Sequence, residues 1–206
     1  MSDDPHRIDR VETLHEMLGE PSPIARGKVW PTLEPSAQAF IARSPFALLA
    51  TADAAGNVDV SPKGDHAGFV TVEDERTLLV PDRKGNKLIF SLQNILANPR
   101  VSLLFLIPGT NETLRVAGRA ELTRDPAVCE RLTARGQAAL LAIRVHVEEC
   151  FFHCPKAFLR AELWQPETWQ PHRVSFGEIF APKFGGDASM ARQIDDALEQ
   201  DARDNL

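Results

Sequence analysis

The sequence predicts a mainly β fold, an antiparallel barrel with helical additions at both ends. Three observations predict it. Short apolar or alternating runs follow one another closely from Phe46 onward, and tight turns separate them. Helical spacing is confined to the termini and to two interruptions of the strand rhythm.

The elements follow in order. Ile8, Val11, Leu14, His15 and Leu18 recur at helical spacing and stop at Gly19, a C-terminal helix signal. Pro21, Pro23, Pro31 and Pro35 make the next stretch irregular, and Ser36 is placed to cap a short helix carrying Ala39, Phe40 and Ile41. FALLAT (46–51), VDVS (58–61), GFVTV (68–72) and TLLVP (77–81) read as strands, with DAAGN and DER as turns between them. Asn86 to Asn98 places Leu88, Leu92, Ile95 and Leu96 on one stripe, so a helix is expected there, capped by Asn86 and ended by Pro99. VSLLFLIP (101–108) is an apolar strand. In 112–123, Leu114, Val116, Gly118, Ala120 and Leu122 alternate with Arg115, Ala117, Arg119 and Glu121, a half-buried strand. Asp125-Pro126 opens a helix, with Asp as N-cap and Pro at the first position. Residues 140–152 form another long strand, KAFLRAELW after Pro155 a helix, and residues 187–204 a charged C-terminal helix. The expected organisation is a helical extension (1–45), a barrel domain (46–186) and a C-terminal helix or tail (187–206).

Composition bounds the function. The 206 residues are 43% hydrophobic and 25% charged, enough for one core without disulfide staples. Three cysteines are too few, and odd in number, for a secreted disulfide framework. A net charge of −6 argues against a nucleic-acid partner. No apolar run reaches the roughly 18 residues needed to span a bilayer, so no membrane partner is expected. The polar start MSDDPHRIDR carries no secretory signal, and a cytoplasmic protein is the expectation.

Two stretches carry chemistry. In VPDRKGNKLIFSLQNILANP (80–99), Arg83, Lys84 and Lys87 stand where the positive end of a helix dipole favours acids. Each cation there costs about 0.3–1 kcal/mol, and a local rule broken in this way marks a functional site. A phosphate dianion reverses the conflict and uses the Gly85 and Asn86 amides as well. A solvated basic face is the plain alternative, and the residues alone divide almost evenly between the two. In VDVSPKGDHAGF (58–69), Ser61, Lys63 and Asp65 surround Pro62 and Gly64 on what reads as a turn between strands. Lys63 there is suited to the electron-rich edge of a ring system, although SPKGD is equally an ordinary turn.

SPKGD, LLVPDRKGNKL, SLQNILANPRVSLLFLIPG and ETLRVAGRAELT together resemble the pyridoxamine 5'-phosphate oxidase-related FMN-binding family, in its subgroup with a PDR-x-GN signature. The likeness runs from about Phe46 to Trp164. It implies a split β-barrel acting as a homodimer, with FMN in grooves at the interface. By that resemblance Arg83, Gly85, Asn86 and Lys87 fall on the phosphate-binding loop, with Ser91 a further candidate one turn along. Ser61, Pro62, Lys63, Gly64 and Asp65 resemble the stretch along the isoalloxazine, and Arg115 and Trp164 are candidates from the second subunit. The family's namesake ends in an Arg-rich tail that holds its substrate's phosphate, whereas this chain ends DDALEQDARDNL. The expectation is therefore an FMN-dependent oxidoreductase of a small molecule, with NAD(P)H as a candidate donor, and not pyridoxamine phosphate oxidation itself. The alternative is a flavin-binding carrier or sensor without turnover. No residue stands out as an obligate catalytic acid or base.

His146, Cys150, His153 and Cys154 offer thiols and imidazoles within nine residues. As a regular strand they would place His146, Cys150 and Cys154 on one face. The spacing is not that of a zinc knuckle, and no second cysteine pair exists to complete it, so no metal is expected. Cysteine–histidine nucleophilic catalysis is weaker still, because neighbours along a strand rarely meet side by side.

Overall fold

The computed structural model describes residues 4–205. Met1–Asp3 and Leu206, at the outer ends of the predicted extension and tail, lie outside the described residues. The strands are β1 (Phe46–Ala52), β2 (Val58–Gly64), β3 (Thr71–Asp74), β4 (Thr77–Asp82), β5 (Arg100–Leu106), β6 (Thr113–Thr123) and β7 (Leu141–His153). They form one seven-stranded antiparallel sheet in the order β2-β1-β5-β6-β7-β4-β3.

The alternation in the sequence is what the sheet buries. In β6, Leu114, Val116, Gly118 and Ala120 point inward and Arg119 and Glu121 outward. Leu49, Leu78, Leu103, Phe105, Ile143 and Val145 are fully buried with them in one core. Each such side chain contributes roughly 1.5–3 kcal/mol through removal of its surface from water.

The sheet does not close. No ladder joins β2 to β3 or β4, yet the curl brings the edges within side-chain reach: Lys63 Nζ on β2 lies 3.1 Å from Asp82 Oδ1 at the end of β4. This open, mainly β architecture with added helices agrees with the predicted class. The predicted GFVTV strand is shorter, beginning only at Thr71. SPKGD is not a turn: Ser61–Gly64 complete β2, with Pro62 opposite Leu48. The position at the sheet edge explains it, since a proline there forfeits no ladder bond.

Around the sheet lie α1 (Val11–Leu18), α2 (Pro23–Arg26), α3 (Pro35–Ile41), α4 (Phe90–Ala97), α5 (Pro126–Arg131), α6 (Lys156–Arg160), α7 (Phe176–Phe180) and α8 (Ala188–Asp204). Gly19 ends α1 at φ 77°, as predicted. The Asp125 carboxylate accepts from the Ala127 amide at 2.9 Å, which makes it the expected N-cap of α5. Ser36 caps nothing; α3 starts at Pro35 after Glu34. Helices α2 and α7 have no counterpart in the sequence reading, though Ser22 and Ser175 cap them. Trp30 joins the N-terminal segment to the sheet by exchanging backbone hydrogen bonds with Cys150, at 2.9 and 2.8 Å.

A register shift between Ala117 and Gly118 sets a bulge in the β6–β7 pairing. A Cβ on Gly118 would stand 2.0 Å from the His146 carbonyl oxygen, so this approach requires glycine. The bulge reverses which face β7 presents: Val145 and Val147 face the core, and so does Cys150. His146 and Cys150 thus lie on opposite faces, contrary to the regular-strand expectation.

Candidate functional site

The row Asp59, Ser61, Lys63 on β2 is registered against Thr51, Leu49 and Ala47, the buried face of β1. These three side chains therefore point to the inner side of the curl, where the sheet is split. There they form one wall of a groove of about 630 Å³. The facing wall is the loop 83–89 between β4 and α4, with Phe69, Pro81 and Leu140 adding apolar surface.

The loop wall differs from its predicted form. Helix α4 begins at Phe90, after an Ile89 cap residue with no side-chain cap bond. Asn86, the expected cap, instead accepts from the Leu88 amide at 2.9 Å and closes a local Asx-type turn. Lys87 sits at φ 62°, a left-handed conformation rare outside glycine and asparagine. The cations accordingly lie on a loop ahead of the helix and not in its first turn. Nothing comes within 4 Å of where a Cβ on Gly85 would sit, so the backbone there is uncovered.

The charges of the groove sort into pairs and a remainder. Lys63 is paired with Asp82, both side chains 18% exposed. Arg83 donates from Nε to Asp65 Oδ2 at 3.2 Å and from Nη2 to the Leu132 carbonyl at 2.6 Å. Asp65, whose side chain is 3% exposed, also accepts from Arg135 at 3.1 Å. Lys84 and Lys87 have no acidic partner among the described residues and are exposed. A buried carboxylate held by two guanidiniums is thus an anchor, and the two lysines are the cations left for a ligand.

The structure brings Ser61, Pro62, Lys63, Gly64, Asp65, Arg83, Gly85, Asn86, Lys87 and Ser91 together on this one groove. The Ser91 hydroxyl is not free: it donates to Asp59 Oδ2 at 3.0 Å. Arg115 and Trp164 are not at the groove of their own chain. Arg115 lies 4.5 Å from the Phe151 ring centroid and pairs with Glu149, and Trp164 Nε1 donates to the Thr110 carbonyl at 2.8 Å. Asp59 and Asp82 also line the groove. The sequence reading does not single them out, although Asp59 shares the parity of Ser61 and Lys63. A second cavity of about 320 Å³ adjoins the groove through Asp65, Phe69 and Arg83, and adds His66, Arg131 and Arg135.

Two members of the thiol and imidazole cluster have perturbed environments. Burial, aided by the charge of Glu34, pushes the Cys150 thiol up to about 11, so it stays protonated. Burial and the charges of Lys28 and Arg115 lower His153 below the ordinary imidazole value. Among the described residues no group of three or more His, Cys, Asp or Glu is arranged to hold a metal ion. No helix of the described residues is long and apolar enough to cross a membrane.

Two free lysines beside uncovered backbone, next to the exposed apolar side chains Leu88, Ile89 and Phe90, suit a ligand that is both aromatic and anionic. Fold and groove together define an open antiparallel-sheet protein with a groove at the split. Residues 33–154, more than half of the chain, match the profile of pyridoxamine 5'-phosphate oxidase, and the chain belongs to that family. No curated protein matches it. Among solved structures it is similar to HupZ from Group A Streptococcus, with TM-score 0.48 and 20% identity over 58% of this chain and 92% of that one. A protein described as a candidate pyridoxamine 5'-phosphate oxidase from Lactobacillus delbrueckii gives TM-score 0.45 and 26% identity, over 60% and 98%. An FMN-binding protein from Syntrophomonas wolfei gives TM-score 0.46 and 12% identity, over 57% and 84%.

Proposed function

We propose that the chain binds FMN in this groove and serves as a flavin-dependent oxidoreductase of a small molecule. The observation that carries the reading is convergence. Two motifs some twenty residues apart in sequence line one cavity, and the only lining cations without acidic partners among the described residues, Lys84 and Lys87, stand on one of them. The phosphate lies on the 83–87 loop, held by Lys84, Lys87 and the amides about Gly85 and Asn86. Arg83 acts mainly by anchoring that loop. The ring lies along Ser61–Asp65 with its electron-rich edge toward Lys63. FMN, when bound, supplies hydride or electron transfer. The adjoining cavity gives room for the substrate, and NAD(P)H is the expected donor.

A homodimer completes the reading. The outward residues of β2 and β1 form an apolar face on which Val58, Val60 and Pro62 are exposed and Leu48 is half-buried among the described residues. Arg115 and Trp164 would reach a groove only from the second chain.

A carrier or sensor is the second reading, and one observation favours it: among the described residues the groove is lined by no histidine or cysteine, with Asp65 and Asp82 tied to cations and Asp59 hydrogen-bonded to Ser91.

Titration of the purified protein with FMN tests the assignment. Saturable quenching of flavin fluorescence is expected, with binding weakened about 10–100-fold in Lys84→Ala/Lys87→Ala and unchanged in Arg119→Ala. Equal losses in both variants would falsify the phosphate assignment. Bleaching of bound flavin by NADH or NADPH favours the enzyme; inertness to these and to every other reductant favours the carrier.

A further inference from the structure

Asp59 is the groove carboxylate left without a cation among the described residues. Asp65 is held by Arg83 and Arg135, and Asp82 by Lys63. Asp59 accepts only from the Ser91 hydroxyl, at 3.0 Å, and Ser91 is 6% exposed. The Ser91 proton is thereby committed, and its oxygen presents lone pairs alone. Where β2 meets the first turn of α4, the groove therefore offers acceptors and no donor side chain. The side-chain acceptors disfavour an anion at Asp59 itself and take a group that donates hydrogen bonds, while the uncapped first-turn amides of α4 suit a group that also accepts.

The position of the corner narrows the group. Alternate residues of a strand stand about 6–7 Å apart, so Asp59 lies about 13 Å along β2 from Lys63, with Ser61 between them. A ring whose edge meets Lys63 leaves the side chain it carries running past Ser61 toward Asp59. A chain of hydroxyls donates to the carboxylate and accepts from those first-turn amides.

We infer that Asp59, backed by Ser91, is the subsite for the polyhydroxyl (ribityl) chain of the flavin, and that it distinguishes ring plus chain from ring alone. The inference rests on the flavin reading above and assigns to Asp59 a role separate from phosphate binding. Ser91 acts by aiming the Asp59 carboxylate.

The test compares riboflavin, which has the chain and no phosphate, with lumiflavin, which has the ring alone, by fluorescence quenching. The unsubstituted protein is expected to bind riboflavin the more tightly. Asp59→Ala should lose about tenfold or more in riboflavin affinity while lumiflavin changes by less than about twofold. Asp59→Asn, which keeps one acceptor oxygen, should recover part of the loss; it also serves if Asp59→Ala fails to fold by circular dichroism. Unaltered riboflavin binding in these variants, or equal losses for both flavins, overturns the subsite and leaves the flavin reading standing. Failure of the unsubstituted protein to bind either flavin or FMN overturns both.

Discussion

The two walls of the groove are built by opposite means. On the β2 wall, the direction of Asp59, Ser61 and Lys63 follows from ladder register with β1, a property of seven consecutive residue pairs. On the loop wall, no ladder acts between Asp82 and Phe90, and the backbone is held by side chains. Those are Arg83 on Asp65 and the Leu132 carbonyl, the Asn86 turn, and Lys87 in its left-handed conformation. The difference separates two tasks. A strand sets where a ligand lies, because moving one residue means slipping the register. On the proposed reading, a loop tied by a few charged contacts adjusts to a ligand's anionic end at small cost.

Three substitutions sharpen that contrast. The largest effect belongs to the sheet. Gly118→Ala drives a methyl into the His146 carbonyl at the bulge, and a loss of about 3 kcal/mol in unfolding free energy is expected in urea titration. A loss under about 1 kcal/mol would show that the bulge yields. Next comes the anchor of the loop. Asp65→Asn strands Arg83 and Arg135, and because both guanidiniums keep some contact with water the cost should be about 2 kcal/mol. Hydrogen exchange should rise over 83–89 and 133–137 with little change in β2; faster exchange in β2 as well would mean that the walls are one unit. The smallest effect is Lys87→Gly. It removes a strained left-handed lysine, so stability should rise by about 0.5–1 kcal/mol while FMN affinity falls with the lost charge. If both quantities fall, the lysine side chain itself supports the loop.

The sheet is legible because its signal is repetitive. Leu114, Val116, Gly118 and Ala120 state a period of two, and the buried face of β6 is that list. The groove is half legible, since a basic loop before a helix and a lysine between proline and glycine are visible without a structure. What escapes depends on partners distant in sequence. SPKGD is made of turn residues, and only pairing with β1 keeps it extended. Asn86 is a good helix cap by type, but the chain spends it on a turn and delays the helix to Phe90. Asp59 gains meaning only from Ser91, thirty-two residues later. The parity of His146 and Cys150 is misjudged because a bulge inserts an extra residue, and no local pattern announces it.

The ion pair Lys63–Asp82 spans the seam between strands that share no backbone bonds. Parting two paired strands is a collective event, whereas side-chain rotamers exchange in picoseconds to nanoseconds when exposed and somewhat more slowly when half-buried. The seam can therefore part locally without unfolding the sheet. Because both side chains are largely buried, dissolved salt weakens this tie far less than it weakens an exposed pair, so the seam stays joined over a wide range of ionic strength.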